Sequence, residues 1–96
     1  MKMLVAVVEK ERQQEVLELL REAAVKGFSV IPSVFGKGET GAHFGNRAFP
    51  GENSMILALV SPAELDQLSR SLGTFATRLR AEEAFKVIAL DADLIV

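Results

Sequence analysis

VFGKGETGAHFGNRAFPGENS, residues 34–54, gathers five of the seven glycines of this 96-residue chain (Gly36, Gly38, Gly41, Gly45 and Gly51) into one connection between two apolar runs. Connections beyond about 12–15 residues are uncommon in compact domains and are mostly functional or disordered. The stretch therefore carries most of the functional signal, and its flanks decide the fold. Upstream, Phe28 to Phe35 (FSVIPSVF) reads as a strand in which Pro32 cannot donate to a ladder, which predicts an edge position or a bulge. Downstream, Met55 to Val60 (MILALV) reads as a buried strand.

Met3 to Val8 is a continuous apolar run rich in β-branched residues, as in a central strand covered on both faces, or on one face and by a partner surface. From about Glu11 the period becomes helical. Val16, Leu17, Leu20, Ala23 and Ala24 share one face, and Glu15, Glu18, Arg21 and Glu22 the other. Gly27 is placed to stop that helix in a left-handed conformation. Ser61-Pro62-Ala63-Glu64 is a helix-start signature, with serine as N-cap, proline at the first helical position and glutamate closing a capping box. Leu65, Leu68, Leu72, Phe75 and Leu79 continue the helical face. Gly73 costs that helix about 1 kcal/mol relative to alanine, so it either ends there and resumes or runs on to about Arg80. Phe85 to Leu90 (FKVIAL) predicts a fourth strand, and the final Leu-Ile-Val is apolar enough to pair as a short fifth.

Strand, helix, strand, strand, helix, strand is the order of an α+β, ferredoxin-like βαββαβ sandwich. Right-handed crossovers put both helices on one face of its antiparallel sheet. Alternation is poor in MLVAVV and MILALV, so the uncovered face is also apolar and is expected to pack against copies of the chain. The competing reading is that small residues such as Ala6 and Ala58 tolerate exposure.

Composition narrows the function classes. Ninety-six residues predict a single domain over 1–96, with a modest core that oligomerisation would reinforce. Eleven basic against 13 acidic residues offer no uniform positive field, so nucleic acid is not an expected partner. The absence of cysteine rules out a disulfide framework, a thiolate nucleophile and a Cys-based zinc site. No run approaches the roughly 18 apolar residues of a membrane span, so no membrane insertion is expected and a cytoplasmic location is.

The order of these elements over nearly all 96 residues, with Val34-Phe35-Gly36-Lys37-Gly38 closing the second strand and SPAEL opening the second helix, resembles the PII-like signalling proteins. The superfamily carries a similar Gly-x-Gly at the base of a long T-loop. The resemblance implies a homotrimer whose inter-subunit clefts bind a small effector, such as an adenine nucleotide. It also implies a T-loop, here about residues 36–54, that docks onto a membrane transporter or an enzyme target. Gly36 and Gly38 match the loop base that lies near nucleotide in the family. Two segments depart from the pattern. Where a TGxxGDGK-like phosphate loop should follow the second helix, the chain has GTFATRLRAEEAFK from Gly73 to Lys86, and the family's basic C-terminal segment is replaced by Asp91, Asp93 and an apolar end. A divergent, non-enzymatic sensor follows, whose effector is a nucleotide or another anion. The loop has no tyrosine, so the family's tyrosine-modification switch is excluded.

The candidate ligand-binding residues are Gly36, Lys37, Gly38, Thr40, Gly41, His43 and Arg47. Glycines let backbone N–H groups approach an anion closely, although they serve equally as plain surface-loop residues. Gly36 to Gly41 leads into a strand instead of the helix that a dinucleotide-binding loop requires. Arg47 and Lys37 are suited to grip a phosphate or carboxylate, or to pair with Glu39 or Glu52. His43, the only histidine, titrates near neutrality and is otherwise a polar loop residue. Phe44, Phe49 and Pro50 either fold the loop back or present a docking patch. Glu82, Glu83 and the run Glu9 to Arg12 read as solvated connections, and Asp91 with Asp93 as a weak cation pair without a third ligand. Ser61, Ser69 and Ser71 have no histidine and acid in a recognisable triad relation, no catalytic residue is assigned, and no resident metal or cofactor is expected. Two alternatives stay open: a small ferredoxin-like enzyme using His43 and Arg47, and a structural oligomeric adaptor.

Overall fold

In the computed structural model, residues 1–34 and 52–96 are described. Strand β1 (Lys2–Glu9) runs through one 3-10 turn (Lys10–Arg12) into helix α1 (Gln13–Glu22). Strands β2 (Phe28–Val34) and β3 (Asn53–Val60), helix α2 (Pro62–Ala76) and strand β4 (Phe85–Asp91) follow. The sheet has the order β2-β3-β1-β4, and every neighbouring pair is antiparallel. This is the α+β ferredoxin-like arrangement that the element order predicts.

Register explains which side chains meet the helices. Leu4 lies between Ala58 and Ala89, Ala6 between Ile56 and Val87, and Val8 between Ser54 and Phe85. Because strand side chains alternate, this set faces one way, and Leu4, Ala6, Val8, Ile56 and Ala58 form the core with Val16, Leu17 and Leu20 of α1 and Leu68, Leu72 and Phe75 of α2, Phe85 and Val87 packing against it. Phe75 and Phe85 meet edge to face, with ring centroids 5.1 Å apart. Ala6 and Ala58 are buried on this helix-covered face, so the idea that they tolerate exposure is corrected. Their small size brings the helices close to the sheet.

Helix α2 starts as its signature predicts. The Ser61 hydroxyl accepts from the Glu64 N–H at 3.2 Å, and the Glu64 carboxylate accepts from the Ser61 N–H at 2.8 Å. The helix passes through Gly73 and stops at Ala76, short of Arg80. Helix α1 ends differently from the prediction. The left-handed residue is Ala24, with φ of 66°, and not Gly27. Val25 N–H bonds to the Leu20 carbonyl and Ala24 N–H to the Arg21 carbonyl, the two bonds of a Schellman cap. Val25 and Leu20 are both buried, so their apolar contact fixes the turn even though alanine disfavours the angle.

Pro32 has both consequences expected of it: β2 is an edge strand, and its register with β3 shifts between Ile31 and Val34. Residues 92–96 form no strand, so the short fifth strand is absent among the described residues. Ala92 instead continues straight on, its N–H bonded to the Met1 carbonyl.

The sheet's second face carries no helix among the described residues. Met3 lies between Leu59 and Leu90, Val5 between Leu57 and Ile88, and Val7 between Met55 and Lys86. Ile31 and Ser29 extend these rows on β2. Both faces are therefore apolar, as the weak alternation suggested, and Lys86 is the one charged side chain in these rows. No helix among the described residues is long and apolar enough to cross a membrane.

Candidate functional site

The seven residues singled out by sequence, Gly36, Lys37, Gly38, Thr40, Gly41, His43 and Arg47, lie outside the described residues, as do Phe44, Phe49 and Pro50. What is described is the root from which that segment leaves and returns. Val34 pairs with Asn53 there, just past the bulge. Ser54, the first inward-facing residue of β3, is fully buried and donates its hydroxyl to the Gln13 side-chain oxygen at 2.6 Å, with the Pro32 carbonyl 3.4 Å away. A buried hydroxyl without a partner is costly, so this bond ties the root to the start of α1. The Lys10 N–H adds a second tie, to the Glu52 carbonyl at 2.9 Å.

The same 3-10 turn also holds the α2–β4 connection. Arg12 grips Glu83 with two parallel bonds, Nε to Oε1 at 3.0 Å and a terminal nitrogen to Oε2 at 3.2 Å. Arg80 adds a contact to Oε2 at 3.1 Å, and Arg12 also reaches Glu15. The Glu83 side chain is only 3% exposed, so water contributes little to its solvation and the arginines must. The Arg12 fork holds the Glu83 carboxyl below the usual carboxylate range, and Glu83 and Glu15 raise Arg12 further above its own. Beside them, Glu9 is pushed up, first by burial and then by the negative charge of Glu83. Its carboxylate accepts from the Ala84 N–H, and its own N–H bonds to the Ala84 carbonyl.

Glu83 and Arg12 thus correct the reading of both segments as solvated connections. Sequence reasoning also passed over Ser54 and Gln13. Ser54 had a usable signal, because it continues the period-two row of Ile56, Ala58 and Val60. Glu83 had only Arg80 nearby, three residues before it, while the arginine that grips it with two bonds is 71 residues away.

The aspartates do not form a cation pair. Asp91 closes β4 in an ion pair with Lys2, which lowers its carboxyl, while Asp93 lies beyond the strand. No group of three potential metal ligands occurs among the described residues. The chemistry on view is electrostatic fixing: one 3-10 turn anchors both the root of residues 35–51 and the turn that enters β4.

Several solved structures share this fold. The nitrogen regulatory PII-like protein CPII from Thiomonas intermedia K12, in a structure with ADP, AMP and bicarbonate, is 21% identical, with a TM-score of 0.76 over 99% of this chain and 90% of that one. A CPII structure with ADP and bicarbonate gives 24% identity and a TM-score of 0.73, covering 92% of this chain and 81% of the other. A protein described as PII-like and signalling, from Thermus thermophilus, gives 18% identity and a TM-score of 0.61 over 92% and 82%. At such identities the likeness concerns the fold. No curated protein matches the chain in sequence. The profile of the nitrogen regulatory protein P-II does match, over residues 1–92, and the chain belongs to that family.

Proposed function

We propose that this protein is a non-enzymatic regulator, a homotrimer that binds a small anionic effector in the clefts between subunits and acts on a partner through the loop of about residues 36–54. The observation that carries the reading is the second sheet face. Met3, Val5, Leu57, Leu59, Ile88 and Leu90 form a contiguous apolar surface with no described helix over it. Isolated apolar side chains on a surface are ordinary, whereas a contiguous sheet face of this kind marks an interface. Three copies related by a threefold axis would close it. CPII, with adenine nucleotides and bicarbonate in its structures, supports the class of effector tested first.

The α2–β4 connection supports a divergent effector site. Glu83 already engages the guanidinium of Arg12 and the Nε of Arg80, so these two arginines are paired within the protein, while Arg78 lies over the Phe75 ring. In this reading the anion contacts are assigned to Gly36, Lys37, Gly38, Thr40, Gly41, His43 and Arg47. Sedimentation equilibrium should report three chains per particle. A thermal-shift series with ADP, AMP and bicarbonate should show stabilisation by at least one of them, about 2.7 kcal/mol at a hundredfold excess over Kd. Gly38→Val should abolish that shift without changing the assembly. A monomer that responds to none of the three would overturn the proposal.

A further inference from the structure

A groove of about 350 Å³ opens between α2 and β4, lined by Leu65, Ser69, Leu72 and Gly73 of the helix and by Phe85 and Val87 of the strand. A Cβ added at Gly73 would meet no atom within 4 Å, so the helix side of the groove is open space. β4 is the outermost strand on this side, which leaves one row of its backbone N–H and C=O groups without a strand partner among the described residues. The two sheet edges differ in quality. Pro32 and a bulge interrupt β2, whereas β4 contains no proline and keeps unbroken register with β1.

Just past β4 lie Leu94, Ile95 and Val96, of which Ile95 is 91% exposed and Leu94 64%. Three consecutive apolar residues, two of them β-branched, suit a strand. Folding back onto their own β4 would use Ala92-Asp93 as a two-residue hairpin turn, a position that favours glycine and asparagine. The Ala92 N–H is also engaged by Met1, which directs the chain onward instead of back.

Resting on the homotrimer reading above, we propose that residues 94–96 of one copy add as a short strand to the β4 edge of a neighbouring copy, filling its α2–β4 groove. Strand alternation puts Leu94 and Val96 on one side, toward the groove, and Ile95 on the other. Ile88 lies both on the rim of the groove and on the uncovered sheet face, so the docked segment continues the surface through which copies associate.

The chain contains no cysteine, which makes a directed cross-link clean. Copies carrying Ser69→Cys and mass-tagged copies carrying Leu94→Cys are mixed, allowed to exchange subunits and oxidised. The expected product is a reducible hetero-dimer on a denaturing gel, formed at least tenfold faster than either single variant cross-links alone. Gly73→Leu, which fills the groove and is favoured by helix propensity, should slow that product at least tenfold. Trimers that yield no hetero-dimer, or whose yield ignores Gly73→Leu, would overturn the docking while leaving the assembly standing. A chain with both cysteines that closes only within itself would do the same. A monomer by sedimentation would overturn both.

Discussion

The two faces of the sheet are built from the same kinds of residue and meet opposite surroundings. On one face Leu4, Ala6, Val8, Ile56 and Val60 are within 1% of complete burial beneath α1 and α2. On the other, Leu59, Ile88 and Leu90 remain 37–51% exposed, although they stand one residue away along the same strands. Hydrophobic composition therefore does not distinguish them. Size does: alanines let the helices approach the inner face, whereas the outer rows carry larger aliphatic and methionine side chains that project and leave room for a partner. The inner face is completed by its own chain, whereas the outer face has no described cover; under the proposed assembly this divides the energetics into a concentration-independent and a concentration-dependent part.

The division breaks most visibly at Phe75. It is 1% exposed, packs edge to face on Phe85 and closes the inner layer. Phe75→Ala should cost about 3–5 kcal/mol, the range for deleting a buried aromatic ring. Urea unfolding should show this loss at every protein concentration. Leu59→Lys tests the opposite side. In a single chain it should alter stability by no more than about 0.5 kcal/mol, as ordinary surface substitutions do. Association should nevertheless weaken by about a hundredfold or more, equivalent to roughly 2.8 kcal/mol. Sedimentation over a dilution series measures it. An unchanged assembly would mean that the outer face is not the interface.

Much of this architecture was legible because it rests on local chemistry. The serine, proline and glutamate of residues 61–64 specify a capped helix wherever they occur, and Pro32 specifies an edge or a bulge. The uncovered face was legible from weak alternation. What stayed hidden depends on distant partners. Glu83 looks like half of a solvated acidic pair until Arg12 is brought to it across 71 residues. The stop at Ala24 was hidden for a different reason: glycine is the usual occupant of a left-handed cap, and here burial of Val25 against Leu20 overrides that preference. For the candidate ligand residues, sequence supplied a set and the described structure supplies its root, at Ser54, Gln13 and Lys10.

The Glu83 clamp adds a pH dependence to the single-chain part of the comparison. Its carboxyl titrates lower when folded than when unfolded, so the unfolded chain binds more protons through the acid range. The stabilisation is fully present above the ordinary glutamate value of about 4.3 and is lost as pH falls through the depressed folded value. Glu9 acts with the opposite sign. Its raised folded value makes its charge a cost at neutral pH, relieved as pH falls through that value. Glu83→Gln removes the charge from two arginines, and hydrogen bonds to charged groups contribute about 1.5–3 kcal/mol. The expected result is a loss of about 2 kcal/mol at pH 7, shrinking toward zero below about pH 4. Urea midpoints measured across the acid range up to neutrality give the two curves. Parallel curves would show that the carboxylate charge is not what holds the connection.

The smallest expected effect has the reverse sign and isolates the helical cover. Ala24 holds φ of 66° inside an otherwise complete Schellman cap. A left-handed angle costs a non-glycine residue about 1–2 kcal/mol, and glycine gives back part of that saving through the greater freedom of its unfolded chain. Ala24→Gly should therefore stabilise the protein by about 0.5–1 kcal/mol, the difference between those two contributions. Because the cap lies on the helix side, the rise in Tm of a few degrees should be the same at every protein concentration. A rise that grew with concentration would mean that the end of α1 also bears on association, and the proposed separation of the sheet into a self-completed and an associating face would have to be redrawn.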